Sequence, residues 1–275
     1  MTTDLHRGAR MTEYVTSADG TRIAYQVAGD GGPAVVIVDG AMCHRAFGPS
    51  GGLADELAGA HRVFSYDRRG RGGSGAGGPY AVQQEVEDLA AVVAAAGGRA
   101  TLLGLSSGAA LALRAAGAGI GVERVVAYEP PFSTDDEQRA RFAEYRAGVE
   151  RDVLAGEPGE AVARFMAFVG SPAPVVAQLR ESPAWPAFLA VAPTLVNDAE
   201  VLDGAEGAPV PTALLAGLPV PVLVADGELS PALLRDAAAA TAAAAGAEHR
   251  TLAGQTHEVA PDVLGPVVAG FVARG

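Results

Sequence analysis

Gly104-Leu105-Ser106-Ser107-Gly108 is the segment of this chain best suited to carry chemistry: a hydroxyl with a glycine two residues away on either side. It follows a short apolar, strand-like run and precedes a small-residue, helix-like run from Ala109 to Ala118. A serine on a strand-to-helix turn is held in a strained backbone conformation, with Oγ clear of the sheet and the next amide facing the same space. A side chain at 104 or 108 would meet the neighbouring strand or helix, so the turn demands glycine. The spacing recurs at Gly48-Pro49-Ser50-Gly51-Gly52, but no apolar strand precedes Ser50 and Pro49 disfavours one. Ser50 is therefore read as a chance match in a loop, with a helix starting near Leu53.

A serine hydroxyl is a weak nucleophile at neutral pH and needs a base beside it. His257 sits where the last strand-like run, Glu248 to Leu252, passes through Ala253-Gly254-Gln255-Thr256 towards the last helix. A base on that loop can fold over the sheet edge, and it follows Ser106 in the chain order serine, acid, histidine. His6 in the tail, His44 in a loop, His61 at a strand start and His249 within a strand are less well placed. His257-Glu258 opens like H-E-x-x-H, but Pro261 stands where the second histidine belongs, which removes the zinc-protease reading. The single Cys43 allows neither an intrachain disulfide nor a multi-cysteine zinc site. All 20 basic residues are arginine, which excludes lysine Schiff bases and a P-loop lysine. No metal and no cofactor is expected.

The elements that must position these groups alternate along the chain. A hairpin is predicted from Glu13 to Thr16 and Arg22 to Val27, and a strand buried on both faces at Ala34–Val38. Helix Leu53–Ala58, strand Arg62–Tyr66 and helix Tyr80–Ala96 follow; in the last of these Val82, Val86, Leu89 and Val93 recur at helical spacing. Strand Thr101–Leu105, helix Ala109–Ala118 and strand Arg124–Tyr128 continue the pattern. From Pro130 to Gly217 the alternation stops, and proline-broken helices (138–155, 160–169, 174–179) carry most of the large aromatics. The pattern resumes with strand Val220–Ala225, helix Pro231–Ala245, strand Glu248–Leu252 and helix Ala260–Ala273. This predicts an α/β fold: a mostly parallel twisted sheet of about eight strands, helices on both faces, and an inserted helical cap. The expected organisation is a flexible tail at 1–11, a core at 12–131 and 218–275, and the cap at 132–217.

These residues make the chain resemble the α/β-hydrolase superfamily, as a capped member with a serine nucleophile, from Thr12 to Val272. Tyr66-Asp67-Arg68-Arg69-Gly70-Arg71-Gly72-Gly73-Ser74 is similar to its Y-D-x-R-G-x-G-x-S loop, and Gly254-Gln255-Thr256-His257 to its G-x-x-H site. Val38-Asp39-Gly40-Ala41 stands where H-G-x is common, so Asp39 replaces a histidine. The resemblance implies an oxyanion hole formed by the amides of Ala41 and Ser107, which a side-chain change at 39 does not remove. Such donors are worth roughly 3–4 kcal/mol each in the transition state. The departure lies in the acid: in Asp226-Gly227-Glu228-Leu229-Ser230-Pro231, Ser230 occupies the slot where relatives carry Asp. Glu129, ending the sixth strand, and Asp226, ending the seventh, are the two replacements, and a site without an acid is the third possibility. Asp67 and Arg68 to Arg71 are read as a solvated loop braced by ion pairs.

The function this predicts is a serine hydrolase acting through an acyl-enzyme on Ser106, on an ester, thioester or lactone of a small to medium apolar molecule. Met42, Leu105, Phe132, Phe165 and Trp185 are the expected pocket. The alternatives are a cofactor-free lyase, C–C hydrolase, cyclase or acyl transferase of secondary metabolism on the same fold, or a non-catalytic small-molecule receptor. With a formal charge of −12, nucleic acid and anionic membranes are poor partners. The polar start lacks an apolar leader core and no run is long and apolar enough to span, so a cytoplasmic protein is expected. Oligomeric state is not readable from the residues.

Overall fold

The structure, a computed structural model, describes residues 10–274. Of the expected tail, residues 1–9 lie outside the described residues; Met11 is exposed. The strands are β1 (Glu13–Thr16), β2 (Arg22–Ala28), β3 (Ala34–Val38), β4 (Arg62–Tyr66), β5 (Ala100–Leu105), β6 (Val122–Tyr128), β7 (Val222–Gly227) and β8 (Glu248–Leu252). They form one sheet in the order β1-β2-β4-β3-β5-β6-β7-β8. The hairpin β1–β2 and the β2–β4 pair are antiparallel, and all other neighbours are parallel.

Strands β3, β5 and β7 are buried along their whole length because helices cover both their faces, and β3 reads as an unbroken apolar run. The edge strand β8 instead alternates polar and half-buried residues. Outside the long stretch between β6 and β7, the helices are α1 (Ser50–Leu57), α2 (Val82–Ala95), α3 (Ser107–Gly117), α10 (Ala232–Ala245) and α11 (Pro261–Val272). Helices α1 and α11 pack on one face, against Val35, Ile37, Leu103, Val126 and Leu223. On the other, α2, α3 and α10 pack against Val36, Val38, Leu102, Val125 and Val224. Ser50 opens α1 and is fully buried, rather than lying in a loop, so the helix begins three residues before the position expected.

Between β6 and β7 come α4 (Asp136–Leu154), α5 (Pro158–Phe168), α6 (Ala173–Arg180), α7 (Trp185–Val191), α8 (Leu195–Val201) and α9 (Thr212–Ala216). The last three were not foreseen. Each has five to seven residues and is flanked or entered by proline, so too few turns exist to show a period. The apolar residues of this insertion are continuous with the core on the α2–α3 face, and among them Phe142, Tyr145 and Phe168 meet, the last two stacked at 4.2 Å between centroids.

The site's location follows from the strand order. The chain leaves β3 for β4 on one side of it and returns through α2 to β5 on the other. Loops diverge at such a reversal, and a crevice opens at the carboxyl ends of β3 and β5.

Candidate active site

Ser106 is the single residue between β5 and α3, and its φ of 54° and ψ of −125° put it in a sparsely populated region. The two flanking glycines are needed for contact reasons. A Cβ on Gly104 would lie 2.5 Å from the Ala109 Cα, and one on Gly108 would lie 2.1 Å from the Val38 carbonyl oxygen. Helix α3 is thereby drawn tightly onto β3 and β5. The loop after β3 passes over the serine: a Cβ on Gly40 would sit 3.0 Å from the Ser106 Cβ and 3.6 Å from its Oγ.

Met42 and Glu129 also have positive φ, at 64° and 47°, so three strained non-glycine residues gather at the ends of β3, β5 and β6. Glu129 reaches His257, its Oε2 lying 2.5 Å from the ring Nδ1. Its Oε1 accepts the Gly227 amide at 2.7 Å. Burial opposes ionisation of Glu129, but the hydrogen bonds with His257 and the Gly227 amide outweigh it and hold the carboxyl below its ordinary range. With a carboxylate on Nδ1, that nitrogen carries the proton and Nε2 is left to accept one. Asp226 is equally buried but faces the other way, with His249 Nε2 3.6 Å from its Oδ1.

Tyr128 ties the serine to the histidine loop. Its carbonyl accepts the Ser106 amide at 2.9 Å and its hydroxyl donates to the Thr256 carbonyl at 2.5 Å. Ser106 and His257 make no direct hydrogen bond here, and such bonds commonly tighten only around substrate. Among the described residues, no acceptor takes the amides of Ala41 or Ser107. Two unpaired N–H groups beside a strained serine suit a negative oxygen. Among the described residues, no cluster of three or more His, Cys, Asp or Glu side chains is arranged to hold a metal ion.

The model of the alpha/beta hydrolase family matches residues 31–264. The chain belongs to the alpha/beta hydrolase family. An alpha/beta hydrolase from Sphaerobacter thermophilus is 42% identical, with 94% of this chain and 99% of that one covered and a TM-score of 0.83. More distant likenesses share the fold. An esterase from a Rhodococcus species (22% identical, 95% and 98% covered) has a TM-score of 0.68. The enol-lactonase from Burkholderia xenovorans (22% identical, 95% and 97% covered) has one of 0.61. No curated protein matches in a sequence comparison.

In this alpha/beta hydrolase the segment from Asp67 to Arg71 is not a solvated loop, which corrects the reading from sequence. Asp67, Arg68, Arg69 and Arg71 are each 1% exposed. Arg68 gives Glu85 two hydrogen bonds of 2.7 Å. Arg68 and Arg71 also grip the two oxygens of Asp198, on α8, at 2.6 Å each. Ser107 Oγ donates to the same carboxylate at 2.7 Å. Asp198 is 127 residues beyond Arg71, and no local pattern marks it as their partner.

Four of the five expected pocket residues, Met42, Phe132, Phe165 and Trp185, lie in or against one apolar cluster, and Leu105 lies in the other. Met42 and Phe132 are buried in the core on the α2–α3 face, and Leu105 in the core on the α1–α11 face. Phe165 joins the insertion's aromatic cluster through Tyr145, and Trp185 lies under the Arg180 guanidinium at 5.4 Å. The contact that does cross from the loop after β3 to the insertion is Phe47 on Phe188, edge to face at 5.0 Å. A search for aromatics near Ser106 in sequence would not pair residues so far apart.

Proposed function

We propose that this protein is a serine hydrolase that cleaves an ester, thioester or lactone of a small to medium apolar molecule. The observation that carries the reading is the bond between Glu129 and His257 at the end of β8, on the rim that carries the strained Ser106. In this mechanism Ser106 Oγ attacks the carbonyl carbon while Nε2 of His257 takes its proton. Glu129 holds the ring's tautomer and stabilises the imidazolium. The Ala41 and Ser107 amides bind the oxyanion. The carbonyl re-forms as the leaving alcohol or thiol takes the proton from His257, and water activated by the same ring releases the acid. Ester and lactone cleavage are activities named for two of the fold neighbours. The insertion acts as a cap, and its apolar interior favours apolar substrates.

The test is labelling with a fluorophosphonate together with turnover of p-nitrophenyl esters of graded chain length. Wild type labels and turns over, and Ser106→Ala does neither. Labelling without turnover of any ester would favour a non-hydrolytic reaction on the same serine. Absence of both would leave the receptor reading.

A further inference from the structure

We infer that Arg71, clamped by Asp198 of the insertion, is the positioning residue of the oxyanion hole. Docking of the insertion would then assemble both of its donors. The inference rests on the serine-hydrolase reading above and extends it to how the site is built.

Each nitrogen of the Arg71 guanidinium donates a hydrogen bond. Nη1 donates to the Gly40 carbonyl at 2.6 Å and to the Cys43 carbonyl at 3.2 Å. Nη2 donates to Asp198 at 2.6 Å and Nε to the Thr194 hydroxyl at 3.0 Å. Two of these bonds hold the loop after β3, and two hold the insertion. The Gly40 carbonyl belongs to the peptide whose N–H is that of Ala41. No peptide in the described chain is cis, so the carbonyl and N–H of that unit point to opposite sides. Fixing the carbonyl on Arg71 therefore fixes the direction of the Ala41 N–H. Drawing electron density towards a cation also makes that N–H a stronger donor. Arg68 steadies the preceding peptide through the Asp39 carbonyl at 3.3 Å.

The second donor depends on the same carboxylate. Ser107 supplies its amide from the first turn of α3, and its hydroxyl is held by Asp198 Oδ1, which Arg68 also holds. One side chain of the insertion thus braces Ser107 directly and Ala41 through Arg71. Arg69 provides the internal contrast. It is as deeply buried, but it reaches Asp88, Asp19 and the Gln84 carbonyl, away from the loop after β3.

An alkyl trifluoromethyl ketone forms a hemiketal with an active serine and places an oxyanion in the hole, so its inhibition constant reports the donors while KM of a matched p-nitrophenyl ester does not. In Arg71→Met and Asp198→Asn the inhibition constant should rise and kcat fall, each about tenfold or more, with KM within a few-fold of wild type. Arg71→Lys should recover part of both, and Arg69→Met should lower the unfolding midpoint while leaving kcat and the inhibition constant near wild type. If Arg71→Met fails to fold, Ser107→Ala, which keeps the amide and loses the clamp, carries the same expectation. Folded variants that bind the ketone as wild type does would overturn the inference while leaving the serine-hydrolase reading standing. A wild type that neither hydrolyses esters nor takes a fluorophosphonate on Ser106 would bring down both.

Discussion

Each acidic residue near the carboxyl end of the sheet has a different environment, and the environments separate their roles. Glu129 touches His257, whereas Asp226 faces His249. Glu129→Gln should lower kcat on a p-nitrophenyl ester by about 10³–10⁴-fold, the range seen when a triad loses its carboxylate. Asp226→Asn should stay within a few-fold, and the reverse ranking would reassign the acid. Asp39 is the third case. It is 1% exposed, and neither carboxyl oxygen has a hydrogen-bond partner at normal geometry. Burial pushes it up to about 6, partly offset by Ser50 and the charge of Arg71. A folded pKa above the unfolded one means the native state binds more protons between pH 4 and 6. Stability therefore falls as pH rises through that window, by about 3 kcal/mol in all, and is level above it. Relative to wild type, the unfolding midpoint of Asp39→Asn should climb between pH 4 and 6 and change no further by pH 8. A flat difference would show that Asp39 does not titrate there.

At the scale of elements, close backbone approach matters more than side-chain identity. Helix α3 rests on the Val38 carbonyl at Gly108, where a methyl group has no room. Gly108→Ala must push α3 off β3. It should cost about 1–3 kcal/mol by urea denaturation, the usual range for overpacking, and lower ester turnover beyond what stability explains. Gly51, with nothing near its Cβ direction, is the control and should tolerate alanine. The same contrast explains what was legible in the sequence. A strand buried on both faces, such as Ala34–Val38, announces itself as an apolar run, and its observed bounds match the expected ones, as do those of Arg62–Tyr66. The strand-to-helix turn at Ser106 was visible because its glycines are local to the serine. Helices α7, α8 and α9 were invisible because seven residues or fewer cannot display a 3.6-residue period through prolines. Arg68 and Arg71 were misread because a charge run looks solvated until its partner is known, and Asp198 comes from an element that was itself missed.

Across the whole molecule, the insertion and the sheet domain are joined by a buried, nearly balanced charge network. Arg68 and Arg71 are matched by Glu85 from α2 and Asp198 from α8, and Tyr80 links Glu85 to the Asn197 carbonyl. Burying four ions is costly, and the arrangement is stable because every charge meets its opposite through hydrogen bonds. Removing Glu85 leaves two buried guanidiniums sharing the single carboxylate of Asp198, and the uncompensated buried charge costs far more than the intact pair contributes. Glu85→Ala should accordingly destabilise the protein by about 3–5 kcal/mol. Arg99→Ala breaks a pair with Glu123 in which the arginine is 77% exposed, and it should cost less than about 1 kcal/mol. Urea midpoints for the two variants, measured at low and high salt, test the difference. The Arg99 effect should shrink further at high salt while the Glu85 effect persists, because ions in solution screen exposed charges and cannot reach buried ones. Equal losses for the two variants would mean that the join between insertion and sheet rests on apolar packing, with the buried charges incidental to it.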